Sequence, residues 1–435
     1  MSETITKGDK KLIRSWAFYD WANSAYPLVI TTAIFPIFYE NVTRTDVKDE
    51  LGNIIGHSDT VTFWGHHFHN TELYSYVVGL SFILVSLFSP ILSGVADYTG
   101  RKKLFMRLFC YLGAISCASL YFFNNDYLGL SLLSVFFASI GFWGSLVFYN
   151  AYLPEIAEPE DHDSISALGF GLGYLGSSIL LIINLVLIQA FEMNARWAFV
   201  TVAIWWIGFA HLSFARLPKG QRNGEPRKNI LTNGFHELGN VWKELKHHKQ
   251  LKRFLASFFI YSMGVQTVML MAVLFAKKEI EGLEESSLII SVLIIQFLGI
   301  LGSFLFSRTS RMIGNIKTLG IALFLWVCIC AGTYQFVYSA SGFYIVAASV
   351  GLVMGGIQSL SRSTYSKLLP ETDDHASFFS FYDVAEKVGI VIGMFSFGFI
   401  EGITGGMRNS ILALVIFFVI GFLILLTIPK SKHVN

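Results

Sequence analysis

Charge is what this sequence has least of. Lys, Arg, Asp and Glu together make up 14% of its 435 residues, where a soluble domain carries about 25%. The two signs nearly cancel, at a formal net charge of +2, so there is no basic field for nucleic acid. Cysteine is scarce as well. Cys110, Cys117, Cys328 and Cys330 all lie inside apolar runs. No two have metal or redox spacing, so they read as small buried hydrophobes. The opening residues, MSETITKGDKKLIRSW, lack a short apolar core ending in small residues, and no removable signal peptide is expected. A Walker loop, a zinc-protease helix and a nucleophile elbow are also missing from the sequence. This chain alone is therefore neither an ATP-driven pump nor one of those enzymes. No cofactor is expected.

What is abundant is apolar surface. Hydrophobic residues reach 53% and Phe alone numbers 40. The apolar runs are about 20 residues long, the length needed to cross hydrocarbon as helix. Twelve are predicted, near 16–40, 73–95, 102–123, 127–151, 164–190, 195–216, 251–276, 286–308, 315–338, 342–366, 376–402 and 408–428. Lys and Arg concentrate on one side of these spans: Lys10, Lys11, Arg14, Arg101, Lys102, Lys103, Arg107, the stretch 216–253, Arg308, Arg311, Lys317, Lys367, Lys430 and Lys432. The positive-inside bias then places both termini in the cytoplasm. The expected class is an all-α polytopic protein of the cell inner membrane. It divides into a six-helix bundle over 1–216, a cytoplasmic linker over 217–250 and a second bundle over 251–435. Within the linker, Phe235, Leu238, Trp242 and Leu245 recur at helical spacing among Lys and His. That pattern suits an amphipathic helix on an anionic membrane surface; a solvated linker has the same composition.

The halves share a motif. YNAYLPEIAEPEDHDS closes span four and STYSKLLPETDDHAS closes span ten. Each places Leu-Pro-Glu (153–155 and 369–371) before an acidic turn with a histidine, at an offset of 216 residues. Two independent helix corners could look alike, since Pro ends helices and acids suit helix starts. The matching order and span number favour duplication, which enzyme and sensor readings leave unexplained. Two six-helix repeats related along the membrane normal are the layout of the major facilitator transporters. Between spans two and three, SGVADYTGRKK sets Asp97, Gly100, Arg101, Lys102 and Lys103 in the spacing of that superfamily's cytoplasmic signature. Gly100 suits the turn, and Asp97 is expected to cap or pair with the basic start of the next helix. The matching place in the second half has Arg311 instead of the acid, so the clamp is expected to be asymmetric.

Polar groups inside the spans mark the candidate site. In WAFYDWANSAYP, Asp20, Asn23, Ser24 and Pro27 share one helical face, with Tyr26 on the adjoining stripe. A charge in a span costs about 2.5–3.5 kcal/mol and should face protein or water. Asp20 is close enough to the inner end for a purely structural role, whereas Asn23 and Tyr26 suit a cavity wall; Pro27 should bend the helix. In span eleven, Asp383, Glu386 and Lys387 lie seven to eleven residues in and should all line the central cavity. Two readings stay open. The three form a neutralised structural cluster, with Arg362 pairing one acid; or Glu386 or Asp383 carries a coupling proton or a substrate amino group, with Lys387 or Arg362 meeting a carboxylate or phosphate. Gln266 and Gln358 are the better cavity candidates among the amides, while Asn184 and Gln296 should hydrogen-bond between helices. The glycines of span five should permit close packing, and Trp16 and Trp143 read as interface anchors. His66, His67 and His69 in the outer loop 41–72 lack diagnostic metal spacing and read as solvated.

The stretches SWAFYDWANSAYPLVITTAIFP, FYNAYLPE, ISALGFGLGYLG and GGIQSLSRSTYSKLLPE, with SFFSFYDVAEKVG, resemble the vacuole-effluxer branch of the major facilitator superfamily. That branch includes the autophagy-related vacuolar amino-acid exporters and bacterial members. The resemblance implies a twelve-helix transporter and suggests amino acids or similar small zwitterions as cargo; a monomeric secondary transporter is expected. Its partners would be a small polar or zwitterionic solute, membrane lipids, and protons or another coupling ion. A lipid-linked or peptide cargo is the alternative.

Overall fold

The computed structural model describes residues 6–48, 54–219, 230–280 and 283–429. Helix α1 (Lys10–Asn23) opens at Asp9, whose carboxylate accepts from the Lys11 amide at 2.8 Å. After two residues the chain continues as a π-helix over Tyr26–Ala33 and then as α2 (Phe35–Thr43). The sequence suggested a bend at Pro27; the structure has a wider helix. Pro27 has no N–H to donate, and the Thr32 hydroxyl reaches back five residues to the Pro27 carbonyl at 2.9 Å. These three pieces make the first span.

The outer loop, expected as solvated coil, holds two antiparallel hairpins. One pairs β1 (Thr45–Lys48) with β2 (Ile54–Ser58), the other β3 (Thr60–Phe63) with β4 (His66–His69). Asn70 then anchors the return to the membrane, donating to Thr43 at 3.0 Å while its carbonyl accepts from Tyr39 at 2.8 Å.

The remaining spans of the first half are α3 (Asn70–Thr99), α4 (Lys102–Ser119), α5 (Leu128–Asn150), α7 (His162–Ala190) and α8 (Arg196–Arg216); α6 (Leu153–Ile156) is a single turn between α5 and α7. After α9 (Ile230–His247), the second half comprises α10 (Lys249–Glu279), α11 (Glu285–Ile313), α12 (Asn315–Phe336), α13 (Ala340–Leu368), α14 (His375–Thr404) and α15 (Met407–Leu426). Eleven described helices are long and apolar enough to cross a membrane, and the composite first span brings the total to twelve, as the apolar runs indicated. Most helices outrun those runs, because the hydrophobic pattern marks hydrocarbon while backbone hydrogen bonds continue beyond it. Helix α3 reaches Thr99, where Gly100 takes a left-handed φ of 64° that ends it without a Cβ clash.

The two ends of the described chain, near Gly8 and Pro429, and the even-numbered turns gather at one end of the bundle. Gly8 donates to the Ile156 carbonyl, Lys103 to the Leu217 carbonyl, and Gln250 to the Pro429 carbonyl. Large side chains such as Leu87, Phe88, Ile115 and Phe395 stay exposed on the outside, as lipid-facing positions should. The linker helix α9 packs against α3 and α14. Val241 and Leu245 are buried there, and Trp242 lies 5.5 Å from the Phe381 ring. Val241 and Leu245 are thus covered by protein, while Trp242 stays largely exposed. The side chains of Phe235 and Leu238 are outside the described residues. The span-five glycines do permit close packing. A Cβ on Gly176 would lie 2.7 Å from the Trp21 ring, and one on Gly171 would lie 2.9 Å from Phe304.

Candidate functional site

A cavity of about 230 Å³ lies between the two halves. Asp20 and Asn23 reach it from α1, Tyr26 from the π-helix, Gln266 from α10, Gln358 and Arg362 from α13, and Glu386 from α14. The π-helical turn matters locally: Tyr26, Pro27, Thr31 and Thr32 all face the opening, and such turns recur at functional sites. Aromatic rings supply much of the remaining wall, including Phe142, Trp143, Tyr174, Phe258 and Tyr382.

Asp383 and Lys387, expected on the wall, are not among its residues. Lys387 is fully buried and donates to Asp383 and, at 2.9 Å, to Glu386 Oε2. Its ammonium stands 3.9 Å from the centroid of the Trp143 ring, on the other half. Four-residue spacing lets Lys387 fold back on Asp383, and its long chain turns towards that ring instead of the opening. Only Glu386 of the three faces the cavity, where Oε1 accepts from Gln266 at 2.8 Å.

One of the two open readings pairs Arg362 with an acid of span eleven. Arg362 reaches across to the first half instead. Nη1 donates to Asp20 Oδ2 at 3.1 Å and to Asn150 at 3.4 Å, while Nε and Nη2 hold the Ser166 hydroxyl and carbonyl at 2.9 and 3.0 Å. Tyr149 donates to the same Asp20 oxygen at 2.7 Å. The faces of the guanidinium are covered by Phe170 at 4.2 Å and Trp16 at 4.9 Å. A buried arginine needs this many partners to offset its lost hydration. Gly169 makes room for the pair: a Cβ there would sit 2.4 Å from Asp20 Oδ2.

Several assignments shift accordingly. Trp16 and Trp143 are walls of charged sites rather than interface anchors; Trp16 is fully buried and donates to the Tyr149 carbonyl at 2.9 Å. Gln296 lines the cavity, with its Oε1 unpaired among the described residues, whereas Asn184 does join helices, accepting from Thr201 at 2.8 Å. Gln358 bridges the halves, its Oε1 accepting from Tyr174 at 2.6 Å. Tyr149, Ser166 and Phe170 were missed. Tyr149 adjoins Asn150 in the quoted FYNAYLPE motif, but only the folded chain shows that it meets Asp20.

At the end of the bundle that carries residues 97–103, the halves are closed against each other. Asp97 does not hydrogen-bond to the basic start of its own neighbouring helix. It accepts from the amides of Ala376 and Ser377, at 3.3 and 2.7 Å, where the positive end of α14 favours a carboxylate. Lys102 pairs with Glu155, which also binds His375 at 3.1 Å, and Lys103 binds the Leu217 carbonyl. Arg101 is exposed. The asymmetry anticipated from Arg311 is real. Opposite Asp97, the acid sits on the other partner: Asp163, at the start of α7, binds Ser310, Asn315 and Lys367 at 2.7–2.8 Å.

Two bundles of six spans thus enclose a cavity whose one end is closed by ion pairs and hydrogen bonds between the halves. A family model described as "Vacuole effluxer Atg22 like" matches residues 8–435. The chain belongs to this Atg22-like vacuole effluxer family. It is 31% identical over 431 residues to the uncharacterized MFS-type transporter YxiO of Bacillus subtilis, covering 97% of this chain and 95% of that one. Autophagy-related protein 22 of Saccharomyces cerevisiae is 24% identical over 503 residues, covering 99% and 93%. Among solved structures, a fucose:proton symporter of E. coli superposes with a TM-score of 0.67 at 13% identity, over 97% of this chain and 98% of that one. The human organic anion transporter MFSD10 gives 0.67 at 11%, over 97% and 100%. These likenesses establish the major facilitator fold. The protein is a multi-pass membrane transporter of a small-molecule substrate, not an enzyme.

Proposed function

We propose that the chain works as a monomeric secondary active transporter of the cell inner membrane, with both termini in the cytoplasm, moving a small amino acid-like solute in a proton-coupled cycle. The observation that carries this is the charge balance of the cavity. Asp20 and Arg362 cancel, and Lys387 offsets one of Asp383 and Glu386, leaving one negative charge whose exposed bearer is Glu386. A lone carboxylate on a largely apolar wall can hold a proton or a solute ammonium. The cavity volume of about 230 Å³ favours a small solute over a lipid-linked one. Two matching structures are described as outward-facing, in keeping with the closed end here being the cytoplasmic one.

The test is uptake of labelled amino acids into proteoliposomes with and without an imposed pH gradient. Wild-type protein should accumulate at least one of them with the gradient, and Glu386→Gln should lose accumulation while keeping exchange. Gradient-independent uptake that survives Glu386→Gln would refute the coupling role.

A further inference from the structure

An amino acid-like cargo meets an obstacle in this cavity: no cation on the wall is open to its carboxylate among the described residues. Lys387 is enclosed by Asp383, Glu386 and Trp143, and Arg362 by Asp20, Asn150, Ser166 and two aromatic faces. Arg362 is 4% exposed and Asp20 7%. Asp20, however, spends its bonds on Oδ2 alone, and its side chain borders the opening.

We propose that the Asp20–Arg362 pair is a lock which a zwitterionic solute opens by taking the place of both partners. The solute ammonium binds Asp20 and the solute carboxylate binds Arg362, so that two ion pairs replace one and no charge is left unpaired. The exchange has a mechanical consequence. Asp20 belongs to α1 and Arg362 to α13, so the pair ties the first half to the second. The tie lies on the same side of the cavity as the Asp97, Glu155 and Asp163 contacts, because α1 enters from that end and α13 leaves by it. Cargo that splits the pair therefore loosens the closed end.

The same geometry sets a rule of selectivity. A simple amine can satisfy Asp20 but strands Arg362, and a simple carboxylate does the reverse. Stranding a buried charge is heavily disfavoured, so solutes bearing one charge should be about a hundredfold or more weaker openers than zwitterions. Much of the remaining wall is apolar and aromatic, interrupted by amides such as Gln266 and Gln296 and by Glu386, so the cargo side chain is discriminated less than its two charges.

This inference rests on the amino acid-like reading, and its test separates the two. Asp161 and Arg311 face each other across the closed end as an exposed pair 3.8 Å apart, which contributes little by itself. Cysteines at both positions, in a Cys328→Ser background, can be bridged by a short dithiol reagent when the end is closed. Transport and crosslinking are then measured on the same proteoliposomes with amino acids, their decarboxylated amines and their deaminated acids. The expected result is that transported amino acids suppress the crosslink at concentrations where amines and acids do not. Asp20→Asn and Arg362→Gln should each abolish that suppression, and each is checked for intact fold by size-exclusion elution. Suppression by an amine or acid alone, or transport of amino acids with the crosslink unchanged, would overturn the lock and leave the cargo reading standing. Failure of wild-type protein to bind or transport any zwitterion would overturn both.

Discussion

Replacing Lys387 by Met should destabilise the protein by charge imbalance, and a second substitution should repair it. Lys387 is fully buried, binds Asp383 and lies 2.9 Å from Glu386. At an effective dielectric of about 20, an ion pair at that distance has a gross attraction of roughly 6 kcal/mol. Desolvation offsets much of it, and removing one partner of such a buried pair has a net effect of about 3–5 kcal/mol. The two acids left behind are three residues apart on one helix, about 5–6 Å, and repel by roughly 3 kcal/mol on the same scale. Met matches the length of the Lys stem, so the packing against Trp143 is largely kept. Thermal unfolding of the purified protein in detergent should drop by about 4–10 °C. Adding Asp383→Asn restores the wild-type charge of minus one and should recover most of the loss. If Lys387→Met unfolds at the wild-type temperature, or the double variant is no better than the single, the cluster is not held together by this charge balance.

The remaining expectations concern the contacts between halves. Gly169→Ala would set a methyl 2.4 Å from Asp20 Oδ2 and 2.9 Å from Arg362 Nη2, so transport should fall by about tenfold or more, with Gly208→Ala, where nothing lies within 4 Å, as the unaffected control. Asp97→Asn removes a carboxylate from the amino end of α14 and should shift the gate towards opening by about tenfold, read as reduced bridging between cysteines at 161 and 311. Glu155→Gln, which weakens the Lys102 pair within the first half and the His375 contact to the second, should act in the same direction, and a change confined to unfolding temperature would refute a gating role for either acid.

The class of this protein was legible in composition and periodicity. Twelve runs long enough to span hydrocarbon leave few alternatives to a helical bundle, because in lipid each backbone must satisfy its own hydrogen bonds. The repeated Leu-Pro-Glu corners and the Asp97–Lys103 signature marked two related halves. Most site candidates were legible for the same reason: a charge or amide inside a span is costly, so Asp20, Asn23, Gln266, Gln358, Arg362 and Glu386 had to face protein or cavity.

Partnership was not legible. Asp20 and Arg362 are 342 positions apart, and nothing along the chain says that one half's acid meets the other half's arginine rather than the nearer acids of span eleven. Local spacing suggested that Asp97 serves its own helix pair; docking of the halves gave it the amides of α14. Trp143 looked like an anchor because the sequence shows its depth but not its direction, which is set by the packing of α5 against α14. Helical periodicity thus determined which residues face inward, while only the closure of two bundles on each other decided which inward-facing charges meet.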